Sequence, residues 1–266
     1  MITLLPDECL LEIFKNFHTK YRTLFSCLLV NRHWCRIIIP ILWSEPTKYI
    51  DDLRLIRIYL LALNAEEQAL LRQFKITLPN YQKLLFEYSN FATYVGFYLK
   101  DRYTDGVKNW LYKEGYKEDW DDEYNYYYDD YSYDDYSYFY QEFDEHVNAI
   151  KSSLISMFLR TSKRLKHLNI DEPICNKMIF EKLHINTSIT SLKLHINNLE
   201  ASELLAEILY ENSTLTSLDI SNNKLGFKEL KVLIKAFCKN TTLASLNLSY
   251  NFLCSESGNA LAEYWK

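Results

Sequence analysis

A chain of 266 residues with 48% apolar side chains is long enough to bury one large core or two smaller ones. A net charge of −5 argues against nucleic acid as the main partner, no apolar run approaches membrane-spanning length, and the N-terminus lacks the basic region of a signal peptide. The six cysteines (Cys9, Cys27, Cys35, Cys175, Cys238 and Cys254) form no C-x-x-C pair, which leads us to expect a reduced protein of the cytoplasm or nucleus rather than a disulfide scaffold.

The first element lies in "LLPDECLLEIFKNF", residues 4–17. Pro6 suits a first helical turn, where its missing N–H costs nothing, and Asp7 and Glu8 suit the positive end of a helix dipole. Leu10, Ile13, Phe14 and Phe17 then recur at i, i+3, i+4 and i+7, one apolar helical face. Further on, "TLFSCLLVNRHWCRIIIPILWSEP" spans residues 23–46. Together the two stretches read L-P-x-E-x-L-x-x-I-F, a spacer, C-x-x-V-x-x-x-W and a closing L-W. The residues are Leu5, Pro6, Glu8, Leu10, Ile13, Phe14, Cys27, Val30, Trp34, Leu42 and Trp43.

This pattern resembles the F-box, a three-helix module, and covers residues 1–45. The resemblance implies docking on the Skp-type adaptor of a cullin-based SCF ubiquitin ligase, with a downstream domain capturing the target protein. Its adaptor-binding set here would be Leu5, Pro6, Leu10, Ile13, Phe14, Leu28, Val30, Trp34 and Trp43. For Leu28, Val30, Trp34 and Trp43, a place in the helical core is as good a reading. So short a segment cannot hide all its Leu, Ile, Phe and Trp side chains within itself. An exposed apolar patch marks an interface.

Residues 46–117 read as a mostly helical linker region, with "LRLIRIYLLALNAEEQALLRQF" the clearest helical stretch. Residues 118–146 are of low complexity. From Glu118 to Glu145 there are twelve acids, nine tyrosines and no Lys or Arg, so disorder is the expectation for this tract. Its aromatic content also suits docking on a basic surface. The remainder has thirty basic and twenty-three acidic residues, a net of +7.

From about residue 147 a repeat emerges. "NTSITSLKLHINNL" starts at Asn186, "NSTLTSLDISNNKL" at Asn212 and "NTTLASLNLSYNFL" at Asn240, with periods of 26 and 28 residues. The five shared positions are Ile189, Leu192, Leu194, Asn197 and Leu199; then Leu215, Leu218, Ile220, Asn223 and Leu225; then Leu243, Leu246, Leu248, Asn251 and Leu253. An earlier copy keeps Leu165, Leu168 and Ile170 but lacks the asparagine. Alternating apolar positions predict a short strand with one buried face, and the asparagine can bond backbone groups where the strand turns away. "ELLAEILYEN" and "KELKVLIKAFCKN" predict intervening helices.

A strand plus a full helix in this period resembles leucine-rich repeats of the ribonuclease-inhibitor type. The resemblance places Asn169, Ser191, Lys193, His195, Ser217, Asp219, Ser221, Ser245, Asn247 and Ser249 on a concave, target-binding face, unless they form a plain solvated sheet surface. Region 46–160 is expected to join the F-box to the repeats and to cover the first repeat's open end. No capping segment is recognisable after the last copy.

Nothing points to catalysis. Nucleotide-binding, nucleophile-elbow and zinc-protease motifs are all missing, and the five glycines are scattered. His33 and Cys35 have no second ligand pair, so no metal or other cofactor is expected. The sequons at Asn186, Asn212, Asn240 and Asn247 read as repeat loops and strands. The expected architecture is α+β and α-rich: a three-helix F-box, a helical middle and a short strand–helix solenoid. The expected function is target recognition for a ubiquitin ligase. The alternative is a repeat scaffold or adaptor outside ubiquitination.

Overall fold

The computed structural model describes residues 5–78, 87–98, 105–116, 139–171, 174, 176–196 and 198–264. Three N-terminal helices come first: α1 (Asp7–Lys15), α2 (Tyr21–Leu28) and α3 (Arg32–Leu42). Pro6 stands at the N-cap of α1, and Asp7 and Glu8 fill its first turn. Asn31 caps α3 by accepting the Trp34 N–H at 2.8 Å. Helix α3 packs on both α1 and α2. Leu10, Phe14, Leu24 and Ile38 form the small core of this unit.

The middle region, expected to be mostly helical, also contains a strand. It holds α4 (Leu53–Leu61), α5 (Ala65–Arg72), a 3-10 turn at Tyr88–Phe91, strand β1 (Tyr94–Tyr98) and α6 (Gly106–Lys113). β1 pairs in parallel with β2 (His167–Asp171), with Tyr94 opposite His167. The long helix α7 (Phe139–Thr161) lies between them in sequence. The expectation of disorder over 118–146 is therefore corrected at its C-terminal end, because residues 139–146 open α7. Residues 118–138 lie outside the described residues.

Beyond β2 the chain alternates: α8 (Lys177–His184), β3 (Ser191–Leu194), α9 (Leu199–Glu211), β4 (Ser217–Asp219), α10 (Phe227–Lys239), β5 (Ser245–Asn247) and α11 (Ser255–Tyr264). All five strands are parallel, in the order β1-β2-β3-β4-β5. Each helix from α7 to α11 packs on the next. The result is a mixed α/β body, one parallel sheet with its crossover helices stacked in sequence order. Leu168, Leu192 and Leu218 share one register and are all buried, as a period of two demands.

Two sets of asparagines tie the units together. Asn223 accepts the Ile196 N–H at 2.6 Å and donates to the Leu194 carbonyl at 3.0 Å. Asn251 accepts from the N–H groups of Asn223 and Leu225, both at 3.0 Å, and donates to the Ile220 carbonyl at 2.9 Å. Each amide thus satisfies backbone groups of the preceding turn that would otherwise be buried unpaired. The third asparagine of this set, Asn197, lies outside the described residues.

The second set is the sequon asparagines. Asn186, Asn212 and Asn240 each accept two backbone N–H groups from residues two and three positions on. Asn240 also donates to the carbonyls of Leu209 and Asn212, at 2.7 and 3.0 Å. These side chains are spent on turns and on contacts between units.

Candidate functional site

Two surfaces can be built from the residues upward. The first is on the N-terminal helices. Within the set that the F-box resemblance implied, Leu10 and Phe14 are fully buried. Phe14 meets Trp34 edge to face at 5.0 Å. Leu10 and Phe14 hold the three helices together and are not contact surface, which corrects that part of the expectation. Leu28 and Trp34 are half-buried against the same core.

For Trp43, which the sequence left between core and contact, the structure favours the core. It packs on the main core of the α/β body, stacked on Tyr88 at 4.2 Å and edge-on to Tyr59 at 6.0 Å. What remains exposed is Leu5, Pro6, Ile13 (43%) and Val30 (59%). Phe25 (57%) and Leu29 (67%) join them, and the sequence reading missed both. Leu29 sits beside Val30 after the last turn of α2, and Phe25 stands one turn earlier. Their signal was an apolar count too high for one helix face.

Hydrogen bonds join this surface to the sheet. The Ser44 carbonyl accepts the N–H groups of Thr93 and Tyr94, at 2.8 and 3.1 Å. The Thr47 hydroxyl accepts from Gly96 N–H at 2.8 Å. Residues 44–47 therefore bond the Tyr94 and Gly96 N–H groups on the outer edge of β1. Tyr59 donates its hydroxyl to the Pro46 carbonyl at 2.9 Å, and burial holds that phenol well above its usual pKa. Gly106 lets α6 approach the same segment, since a Cβ there would collide with the Ile50 carbonyl and the Asp51 Cα.

The second surface is the sheet face turned away from the helices. Register places His167, Ser191, Ser217 and Ser245 in one row, continued by Tyr94 on β1. Gly96, Asn169, Lys193, Asp219 and Asn247 form the next. His195, Ser221 and Ser249 follow just past the strand ends.

Several of these groups are engaged with one another. Asp219 accepts from the Ser221 N–H at 2.9 Å and its hydroxyl at 2.6 Å, and Asn247 repeats this with Ser249 at 3.1 and 2.8 Å. Burial alone would push the Asp219 carboxyl up. Hydrogen bonds from Ser221 and Asn247, with the nearby Lys193 ammonium, outweigh burial and hold it below the usual carboxylate range.

A depressed folded-state pKa means stability that is present above the unfolded value, about 3.9. It is lost as pH falls through the folded one. Asp219→Asn is therefore expected to lower stability at pH 7, with the gap to wild type closing in acid. Urea melts at neutral and strongly acidic pH would check this. A gap independent of pH would refute the assignment.

Among the described residues, no three His, Cys, Asp or Glu side chains are grouped to hold a metal ion. Their five cysteines are free thiols, and Cys175 lies outside them. No helix among them is long and apolar enough to cross a membrane.

The geometry of α1–α3 is that of a small helical unit with an uncovered apolar rim. Residues 2–48 match the F-box-like family model. The F-box-like region thus takes in α1–α3 and the segment that pairs with β1. The comparisons with curated proteins and with solved structures found no match.

Proposed function

We propose that this protein is the substrate-recognition subunit of a cullin-based SCF ubiquitin ligase. Its F-box-like region docks on the Skp-type adaptor through Leu5, Pro6, Ile13, Val30 and the neighbouring Phe25 and Leu29. The strand–helix array is a leucine-rich-repeat solenoid of the ribonuclease-inhibitor type. Its concave rows, with Ser191, Lys193, Ser217, Asp219 and Asn247 at their centre, receive the target protein. The protein performs no bond chemistry itself. It works in the cytoplasm or nucleus by tethering, which raises the target's effective concentration near the ligase's charged conjugating enzyme.

The observation that carries this reading is the uncovered apolar rim on a region that matches the F-box-like family. The hydrogen-bonded joint supports it further. A tether delivers a target to a defined place only when the docking surface and the capture surface keep a fixed relation, and residues 44–47 pair directly with the sheet.

The test is co-purification with a Skp-type adaptor. Wild type is expected to form a stable complex that then recruits a cullin. Ile13→Asp/Val30→Asp, with unchanged circular dichroism, is expected to lose it. A wild type that binds no adaptor removes the ligase assignment, and one that binds adaptor without cullin points to a scaffold outside ubiquitination.

A further inference from the structure

The helices on the outer side of the sheet carry a charge pattern that neither the docking rim nor the concave rows use. Helix α9 holds four acids, Glu200, Glu203, Glu207 and Glu211, and no Lys or Arg. Helix α10 holds four lysines, Lys228, Lys231, Lys235 and Lys239. Its one acid, Glu229, folds back to accept the Gly226 N–H at 3.1 Å. Steps of three and four put each set on one face of its helix. All eight side chains are exposed. Each lysine follows its glutamate by 28 residues, the same offset that separates the starts and the ends of the two helices. Helices α9 and α10 cross over between parallel strands and pack side by side, so the four acids and four lysines stand at matching levels. The ridges adjoin: the Lys239 ammonium lies over the Tyr210 ring, 5.1 Å from its centre.

Neither ridge is explained by its own helix. Glutamates at i and i+4 repel one another, as do lysines, whereas a merely solvated helix intersperses the signs. Glu211 sits in the last turn of α9 and Lys228 in the first turn of α10, each against the helix dipole. Nor do the ridges neutralise each other. Among the described residues no ion pair joins them, and Glu211 turns instead to His184 on α8, at 2.7 Å.

We infer that this outer face is a self-association surface, on which a second copy of the chain lays its α9 on α10 and its α10 on α9. A two-fold axis parallel to the helices, running between α9 and α10, turns the partner's face onto this one and exchanges the two ridges. Rotation about such an axis keeps every residue at its own level. Glu203 then meets the partner's Lys231 and Lys231 meets the partner's Glu203, and the other three levels repeat this. A different partner would have to bring both signs in this order and at this spacing, whereas a second copy brings them by construction. Thirteen residues make each helix about 20 Å long, so the contact is small as well as charged. That makes a weak, salt-sensitive pair rather than a permanent dimer. The axis leaves both F-box-like regions and both concave faces outside the contact, so the inference stands apart from the ligase reading.

Light scattering coupled to size exclusion on the full chain, at low and high salt, tests this. A mass of about twice the 31.8 kDa chain is expected at low salt and high concentration. It should return to that of a single chain near about 1 M salt, where screening acts over about 3 Å. Glu203→Lys/Glu207→Lys and Lys231→Glu/Lys235→Glu each oppose like charges across the axis. All four positions are exposed, so both variants should keep the wild-type circular dichroism and adaptor co-purification. Each alone is expected to give the single-chain mass at every concentration. Mixed, they are complementary at every level, and the mixture is expected to recover the doubled mass. A wild type that is monomeric at low salt overturns the proposal. So does a dimer that survives about 1 M salt or either variant, or a mixture of the two variants that stays monomeric.

Discussion

Arg160→Ala is expected to destabilise the α/β body by about 1–3 kcal/mol, because a buried carboxylate loses the two charged hydrogen bonds of an arginine that itself lies at the surface. The carboxylate belongs to Glu67, which is wholly inaccessible to solvent. Arg160 meets it with two parallel bonds, Nε to Oε1 and Nη2 to Oε2, each 2.8 Å. The Glu67 hydrogen bond holds the guanidinium pKa above its usual value. The same carboxylate caps α5 by accepting the Asn64 N–H at 2.9 Å, and Ser153 donates to the Glu67 carbonyl at 3.0 Å. Together these bonds pin α5 to α7, the helix that carries the centre of the core.

Arg160→Lys cannot reproduce the two-pronged geometry and is expected to recover only part of the loss. The double variant Glu67→Met/Arg160→Met removes both charges. It should sit much closer to wild type, short by about 1 kcal/mol for the lost cap. Urea denaturation followed by circular dichroism would rank the four proteins. If Arg160→Ala costs less than about 1 kcal/mol, Glu67 is finding solvent or another partner, and the pair is not the clasp described.

The repeat strands were legible because each carries its own local signal. Leu192 and Leu194 alternate with Ser191 and Lys193, and the asparagines at 223 and 251 stand at a fixed offset behind their leucines. β1 had no such signal. "YVGFY" is five residues with a central glycine, and its partner, His167–Asp171, lies more than seventy residues away. Pairing of that kind leaves no period to read. The start of α7 was hidden by composition, since a count of acids and tyrosines says nothing about periodicity.

The face of α1 was read correctly and its role only in part. At about 100° per residue, Phe14 lies about 40° from Leu10 on one side, while Ile13 lies about 60° off on the other. A stripe that wide contains both a buried centre and an exposed flank. The sequence could not say where the neighbouring helix divides it. Trp43 was ambiguous for a related reason: its stacking partner, Tyr88, arrives from outside the first unit altogether.

That division of α1 sets up the other large effect. Phe14→Ala should remove about 3–5 kcal/mol, the usual range for emptying a buried Phe site. Among the described residues, the core that loses it has three other fully buried members, Leu10, Leu24 and Ile38, a small reserve to hold the helices. The expected result is local melting of α1–α3 with the sheet intact, seen as amide exchange losing protection over residues 7–42 while β2–β4 keep theirs. Ile13→Ala, one residue away, should leave both regions within about 0.5 kcal/mol of wild type, because Ile13 is substantially exposed. If the adaptor buries Ile13, that variant loses about 2 kcal/mol of docking energy, roughly a thirtyfold weaker complex. Loss of adaptor binding in both variants would then have two separate causes, which exchange protection tells apart. An Ile13→Ala protein that binds as tightly as wild type would move the docking surface off α1 and onto Phe25, Leu29 and Val30 at the far end of α2.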